Sequence, residues 1–338
     1  MQKKILYISP FEIYPPTTGG SRYIYNYIKH LSKENTIIFI GLKNQKKIPG
    51  YTTIKQYNIF NTGVKKYSNI FAYREAFLIA QKEKPDEIIV AMPYQIFFGI
   101  LLAKIQKVPC SLHEQNIEFL RFKRLGKWWW PVMYFYEKIA YSLVDKILYI
   151  SETDKHTLIK NFNIHSKKLT YSPYIVDPTI FKENVTARKN IRQLLGLKNT
   201  PVILFFGPLD YQPNKEAVAL ILTKIAPYVI KRNKKINFLI AGKNPPKDII
   251  FPHIIFTGFV DKIEDYINAS DIVIVPLLSG GGVRTKILES LACKKPVVST
   301  SIGAEGIIPN QSQHLIIQDD FTEFAKSLIL IIKRLYEK

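Results

Sequence analysis

The sequence predicts an α/β fold of two doubly wound parallel sheets, arranged as two domains, and three observations carry that expectation. The 338 residues exceed one ordinary domain and suffice for two cores. Strand-like and helix-like segments alternate from end to end. The strand Ile88, Ile89, Val90, Ala91 is apolar throughout, as a strand covered by helices on both faces must be.

Taken in order, Lys4 to Ser9 reads as the opening strand and Ser21 to Lys33 as the first helix, with Tyr23, Ile24, Tyr27, Ile28 and Leu31 on one face. Thr36 to Gly41 is a strand. Asn69 to Lys84 is a helix before the strand Glu87 to Met92, and Tyr94 to Gln106 a helix before the strand Val108 to His113. The aromatic stretch Trp128, Trp129, Trp130, Pro131 stays outside the strand count. A helix to Val144, the strand Lys146 to Ser151 and a helix from Glu152 complete a first domain, residues 1–177. Residues 178–200 turn polar, with Lys182, Glu183, Arg188, Lys189 and Asn190, and read as a linker region. A second domain, 201–338, repeats the alternation: Val202 to Gly207, Asn214 to Lys231, Ile236 to Gly242, Ile254 to Gly258, Ile263 to Ala269, Asp271 to Pro276, Val283 to Ala292, Val297 to Thr300. The lack of a self-similar repeat sets solenoids and propellers aside.

Apolar residues make up 47% of the chain and charged residues 22%, which fits a folded, soluble chain. Cys110 and Cys293 each lie in or at the end of an apolar run and read as buried thiols in a reducing compartment. The apolar stretch before Pro10 is too short for a signal-peptide core, and no run is long enough to span a membrane. A cytoplasmic location, peripheral on the inner membrane face, is therefore expected. The formal net charge of +21 draws phosphates, anionic lipid or nucleic acid without choosing among them, and a solvated lysine-rich surface accounts for it equally. No recognition helix, zinc spacing or ribonucleoprotein motif is present, so no nucleic-acid partner is expected.

Ligands of open parallel sheets bind beyond the carboxyl ends of the strands, which singles out three loops. In Pro15 to Arg22, Gly19 and Gly20 let backbone approach a ligand, and Ser21 can cap the helix; a plain glycine turn would read the same way. The dinucleotide pattern Gly-x-Gly-x-x-Gly is absent there, against a nicotinamide cofactor. Ser279 to Glu289 follows an apolar strand and joins glycines, a helix start, Arg284 and Lys286 into a diphosphate site. Gly282, Lys286 and Glu289 fall on one helical face, with Ile287, Leu288 and Leu291 turned inward. The alternative there is a surface ion pair between Lys286 and Glu289. Leu112 to Glu118 gathers His113, Glu114, Gln115, Asn116 and Glu118 at a third strand end, for substrate contact or for capping and core polar roles.

These residues resemble glycosyltransferase family 4, retaining enzymes of the GT-B fold in which two Rossmann-like domains face across a cleft. The resemblance spans nearly the whole chain. It rests on Pro-Pro-Thr-Thr-Gly-Gly after the first strand, Phe206-Gly207 with Tyr211-Gln212-Pro213-Asn214, Ala241-Gly242, Thr257-Gly258-Phe259-Val260 and Ala269-Ser270-Asp271. Above all it rests on Gly280 to Glu289, with Lys295 to Thr300 and Gly303-Ala304-Glu305-Gly306. It implies that Gly207, Gly281, Gly282, Val283, Arg284 and Lys286 take the phosphates of a nucleotide diphosphate sugar, of UDP or GDP type, and that Glu289 takes the ribose. The Phe259-Val260 backbone would frame the base. Gly20 would face the donor phosphates and the transferred sugar, with Gly19 beside it in the donor-binding set, and Gly20, His113, Gln115 and Glu289 as the catalytic set. The family usually carries a glutamate where Gly281 stands, an arginine and a lysine after the first strand of the second domain, and a histidine where Gln115 stands. A retaining member can pass the acceptor proton to the departing diphosphate, so charge on that group is what the protein must stabilise. No Asp-x-Asp occurs, and no metal is expected.

Residues 121–136, Arg-Phe-Lys-Arg-Leu-Gly-Lys followed by three tryptophans and Val132 to Tyr136, join bases to amphipathic aromatics, as an anionic membrane surface carrying a glycan or lipid-linked saccharide acceptor would require. The three tryptophans would equally fill a core. Rival readings are a sugar-nucleotide epimerase of the same fold and a catalytically inactive homologue.

Overall fold

The computed structural model describes residues 2–63, 69–246, 251–307 and 314–336. Two compact units are present, one of Met1–Ile175 with Gly281–Val283, the other of Val176–Gly280 with Arg284–Lys338.

In the first unit the elements run β1 (Lys4–Ile8), α1 (Gly19–Leu31), β2 (Thr36–Leu42), β3 (Ile54–Phe60), α2 (Ile70–Glu83), β4 (Glu87–Ala91), α3 (Ile96–Gln106), β5 (Cys110–His113), α4 (Glu118–Arg124), α5 (Trp130–Leu143), β6 (Lys146–Tyr149), α6 (Glu152–Phe162) and β7 (Leu169–Tyr171). Among the described residues seven parallel strands are ordered β3-β2-β1-β4-β5-β6-β7. The pleat sends Leu6, Ile8, Ile88 and Val90 to one face, where α2, α3 and α5 bury Ala76, Ile100 and Ala140, and Ile5, Tyr7 and Ile89 to the other, against Ile24 and Ile28 of α1. Helix ends follow local chemistry. Thr18, not Ser21, is the N-cap of α1, and Ser21 completes a capping box with it. Asn69 caps α2 and Ser151 caps α6.

The second unit contains α7 (Val185–Leu194), β8 (Val202–Phe206), α8 (Gln212–Leu220), α9 (Ala226–Arg232), β9 (Asn237–Ala241), β10 (Ile254–Gly258), α10 (Ile263–Ala269), β11 (Ile272–Val275), α11 (Thr285–Ala292), β12 (Val297–Ser299), β13 (Leu315–Ile317) and α12 (Phe321–Tyr336). Its described strands are ordered β10-β9-β8-β11-β12-β13. The helix expected over Asn214 to Lys231 is divided by a π turn at Ile221–Ile225, two positions ahead of Pro227, whose missing N–H shifts the ladder.

The polar stretch 178–200 contains α7, and a buried carboxylate explains it. Asp271, at the head of β11, takes Arg188 at 2.6 Å and Arg192 at 2.7 Å, while Arg192 also donates to the carbonyls of Ala269, Lys198 and Thr200. These bonds hold the helix against the sheet, so its sequence needs only a narrow apolar stripe.

Candidate functional site

Both sheets reverse direction of winding at one place, between β1 and β4 in the first unit and between β8 and β11 in the second, the position at which open parallel sheets bind ligands. In the second unit the turn at Gly207 follows β8, and the loop that begins at Pro276 follows β11. Gly207 N donates to Ala241 O at 2.9 Å and Gly242 N to Gly258 O at 2.8 Å, extending the ladder past the last strand residues. Lys286 reaches across from the first turn of α11, donating from Nζ to Phe206 O at 2.6 Å and to Asn214 Oδ1 at 3.3 Å, with Nζ 4.6 Å from the Phe205 ring centroid. Asn214 Nδ2 in turn donates to Pro208 O at 2.7 Å. Gly207 is required by this geometry: its φ is +142°, and a Cβ there would stand 2.9 Å from Asn214 Nδ2 and 3.2 Å from Lys286 Nζ.

The loop before α11 is also fixed from beneath. Ser279 Oγ donates to Glu216 Oε2 at 2.7 Å, Gln212 Nε2 donates to Glu216 Oε1 at 3.1 Å, and Arg284 Nη2 donates to Ser279 O at 3.3 Å. Gly280 and Gly282 hold φ of +102° and +73°, a left-handed path open to glycine. The helix therefore begins at Thr285 with Arg284 as N-cap, two residues later than the sequence suggests. Two expectations change as a result. Gly282 lies off the helix and shares no helical face with Lys286 and Glu289. Glu289 and Ser290 are fully buried beside Ile287, while Leu288 and Leu291 are half-buried, because the side of α11 facing the sheet is rotated from the one the spacing suggested. No acidic residue occupies the first turn of α11, so Arg284 and Lys286 stand at the positive end of its dipole, an arrangement relieved by a bound anion. Gly281 and Val283 are half-buried in the same loop. At the end of β10, Phe259 is exposed and carries Lys243 Nζ 4.7 Å above its ring, with Val260 packed on the core.

In the first unit Gly19 and Gly20 are the opening residues of α1, and Gly20 meets Gln115, the second residue after β5: a Cβ on Gly20 would lie 2.7 Å from Gln115 Oε1. His113 is fully buried on the α1 side of β5. Its Nδ1 shares a 2.6 Å bond with the Tyr7 hydroxyl, its Nε2 a 2.8 Å bond with the Tyr23 hydroxyl, and the Tyr27 ring lies 4.1 Å away. Desolvation drives its pKa down to about 3, so it is neutral and enclosed. Both ring nitrogens of His113, one of the residues expected in the catalytic set, meet tyrosine hydroxyls inside the core.

The remaining polar residues of that segment build structure the sequence did not disclose. Glu118 is bound by Tyr94, Asn116 and Arg121. Glu137 of α5 accepts from the Glu118 and Phe119 N–H groups at 2.7 and 3.0 Å, and Tyr141 donates to Glu114 Oε1 at 2.9 Å and Glu137 Oε1 at 3.1 Å. Burial raises both carboxyls, Glu137 up to about 8 with the Glu118 charge adding to it, and Glu114 well above the usual range with the Glu137 charge adding to it.

Within 121–136 the tryptophans divide. Trp128 is 86% exposed, whereas Trp129 packs on Phe122 with centroids 4.1 Å apart and Trp130 lies under Lys123 Nζ at 4.8 Å, both against the core. Among the described residues no helix is long and apolar enough to cross a membrane, and no group of three His, Cys, Asp or Glu is placed to share a metal ion. Cys110 and Cys293 are free and buried.

Residues 17–179 match the family model described as Glycosyltransferase Family 4, and residues 200–334 the model described as Glycosyl transferases group 1. An uncharacterised glycosyltransferase of Methanocaldococcus jannaschii is 25% identical, over 98% of this chain and 89% of its own length. An uncharacterised 44.6 kDa protein in the cps region of Klebsiella pneumoniae is 30% identical over 218 residues, 59% of this chain; the chain spans about half of that relative, 52%. Among solved structures, the Anabaena protein HepE in complex with UDP-glucose superposes with a TM-score of 0.74 at 14% identity, over 99% of this chain and 91% of that one, a likeness of fold.

Proposed function

This chain belongs to glycosyltransferase family 4 and is a glycosyltransferase of GT-B type, and from that premise we propose that it is a retaining, metal-independent hexosyltransferase using a UDP- or GDP-sugar. The observation that carries the proposal is the glycine-lined start of α11 at the β8/β11 switch point, which sets Arg284 and Lys286 at the positive end of the helix dipole. The UDP-glucose complex of the Anabaena protein supports a donor of that class.

On this reading the diphosphate lies on the N–H groups of Gly281, Gly282 and Val283, with Arg284 beside it and Lys286 exchanging Phe206 O for a phosphate oxygen. Phe259 and Val260 border the base. Glu289 is closed to solvent, so its contact with the ribose requires the side chain to be uncovered when the donor binds. The bond from the anomeric carbon to the diphosphate breaks while the acceptor oxygen bonds to the same face. The acceptor proton passes to a departing diphosphate oxygen. Helix dipole, Arg284 and Lys286 stabilise the charge that develops there. The first unit takes the acceptor, a glycan or lipid-linked saccharide, with Gly19, Gly20 and Gln115 at its site and an anionic membrane as its setting.

Incubation with a panel of UDP- and GDP-sugars, following nucleotide release and the anomer of the first sugar product by NMR, tests this. Retention of configuration, without loss in EDTA, is expected. Inverted product, or conversion of the donor to another nucleotide sugar, would refute it.

A further inference from the structure

Helix α3 is apolar around its whole circumference: from Ile96 to Gln106 its one charged residue is Lys104. Such a helix belongs in a core or in lipid. Only half of α3 is so placed. Ile96, Ile100 and Ala103 are buried on the sheet, whereas Phe97, Leu101 and Ile105 are exposed, Leu101 by 57%. The neighbouring helices do the same. Phe71 and Leu78 project from α2, Phe71 77% exposed, and Val132, Phe135, Ile139 and Leu143 form an exposed stripe on α5, Phe135 by 60%.

These outward surfaces are continuous. The Tyr73 ring of α2 lies 4.5 Å from Phe98 of α3, and Phe97 of α3 meets Tyr136 of α5 edge-on at 4.9 Å. A contiguous apolar area spread over three helices marks an interaction surface rather than scattered surface residues. Cations surround it. Lys82 and Lys84 end α2, Lys138 lies on α5, and Lys104 and Lys107 line an open cleft with Ile100 and Leu143. The acids of these segments are Glu75 and Asp145, Asp86 after α2, and the buried Glu83 of α2 and Glu137 of α5, Glu83 being paired with Lys55.

We propose that the outward face of α2, α3 and α5 seats the first unit on an anionic lipid surface, apolar side chains at the acyl boundary and lysines among the headgroups. This deepens the membrane part of the function proposed above by moving the contact from the tryptophans, two of which are committed to the core, to a three-helix face. The charge selects the occupant. A second copy would bring two chains of +21 together, whereas an anionic leaflet supplies the opposite sign. No described helix is fit to span, so the contact is interfacial.

The full chain is sedimented with phosphatidylcholine vesicles holding one-third phosphatidylglycerol, and with phosphatidylcholine alone. Binding to the anionic vesicles alone is expected, weakened about a hundredfold in Leu101→Glu/Phe135→Glu. A charge-matched control, Val185→Glu/Leu194→Glu on exposed sites of α7, should bind as the wild type does. Equal weakening in both variants, no binding of the wild type at low salt, or concentration-dependent dimerisation abolished by the α3/α5 variant would each overturn the proposal. Thermal shift by UDP, measured on the same samples, reports the donor site independently.

Discussion

Replacing Lys286 by Met removes a side chain that ties α11 to the end of β8. The charge-assisted bond to Phe206 O, at 2.6 Å, is lost and that carbonyl keeps no donor from the side chain, a cost of about 1–3 kcal/mol. Loss of the cation over Phe205 adds about 0.5–1 kcal/mol. A net loss of about 2–3 kcal/mol in a unit of this size corresponds to a fall in Tm of roughly 4–12 °C. Met preserves most of the stem packing, so the unit should still fold cooperatively. The donor effect is separate: UDP in large excess, which at about 100 times its Kd adds roughly 2.7 kcal/mol to the wild type, should add little to the variant. Differential scanning fluorimetry with and without UDP reads both. A variant that melts lower yet gains as much from UDP as the wild type would show that Lys286 ties the fold and does not touch the diphosphate.

Other outcomes follow from contacts already described. Gly20→Ala places a Cβ against the movable end of Gln115, so Tm should hold while transfer falls about tenfold or more, and adding Gln115→Ala should restore Gly20→Ala no further than the level of Gln115→Ala alone. Arg192→Leu leaves Asp271 and three carbonyls short of donors and should cost about 3–5 kcal/mol in urea unfolding, with UDP affinity of the folded protein unchanged. Glu114 and Glu137 hold their protons in the folded state above the pH, near 4.5, at which the unfolded chain releases them, so their effect on stability is nil in acid and grows unfavourable as pH rises toward about 8. Glu114→Gln should therefore gain on the wild type in melts from pH 5 to pH 8, a difference measurement that cancels the opposite trend from His113; a constant difference would refute it.

How much was legible depended on where each partner lay. The apolar run at β4 and the stripe of α1 declare themselves, because burial on a periodic face is written in consecutive residues. Strand β3, half-buried at the sheet edge with Lys55, Gln56 and Asn58, lacks that signal, and β13 is three residues long. Helix α7 hid in a polar stretch because its anchor, Asp271, lies 79 positions from Arg192. At the site, the glycines and Arg284 were readable from type and spacing. The rotation of α11 was not, since two glycines at positive φ delay its start. Nor was the partner of Lys286, a main-chain carbonyl that no side-chain pattern encodes. His113 reads as a substrate ligand until the tyrosines of β1 and α1 close over it. Of the three tryptophans, only packing against Phe122 and under Lys123 separates the two that fill space from Trp128.

Isothermal titration of the full chain with UDP and with GDP bears most directly on the proposed diphosphate site at the β8/β11 switch point. One of the two should bind at one site per chain, and Arg284→Ala should weaken it at least tenfold, about 1.4 kcal/mol. Absence of heat with both nucleotides, or an affinity untouched by Arg284→Ala, would contradict the assignment.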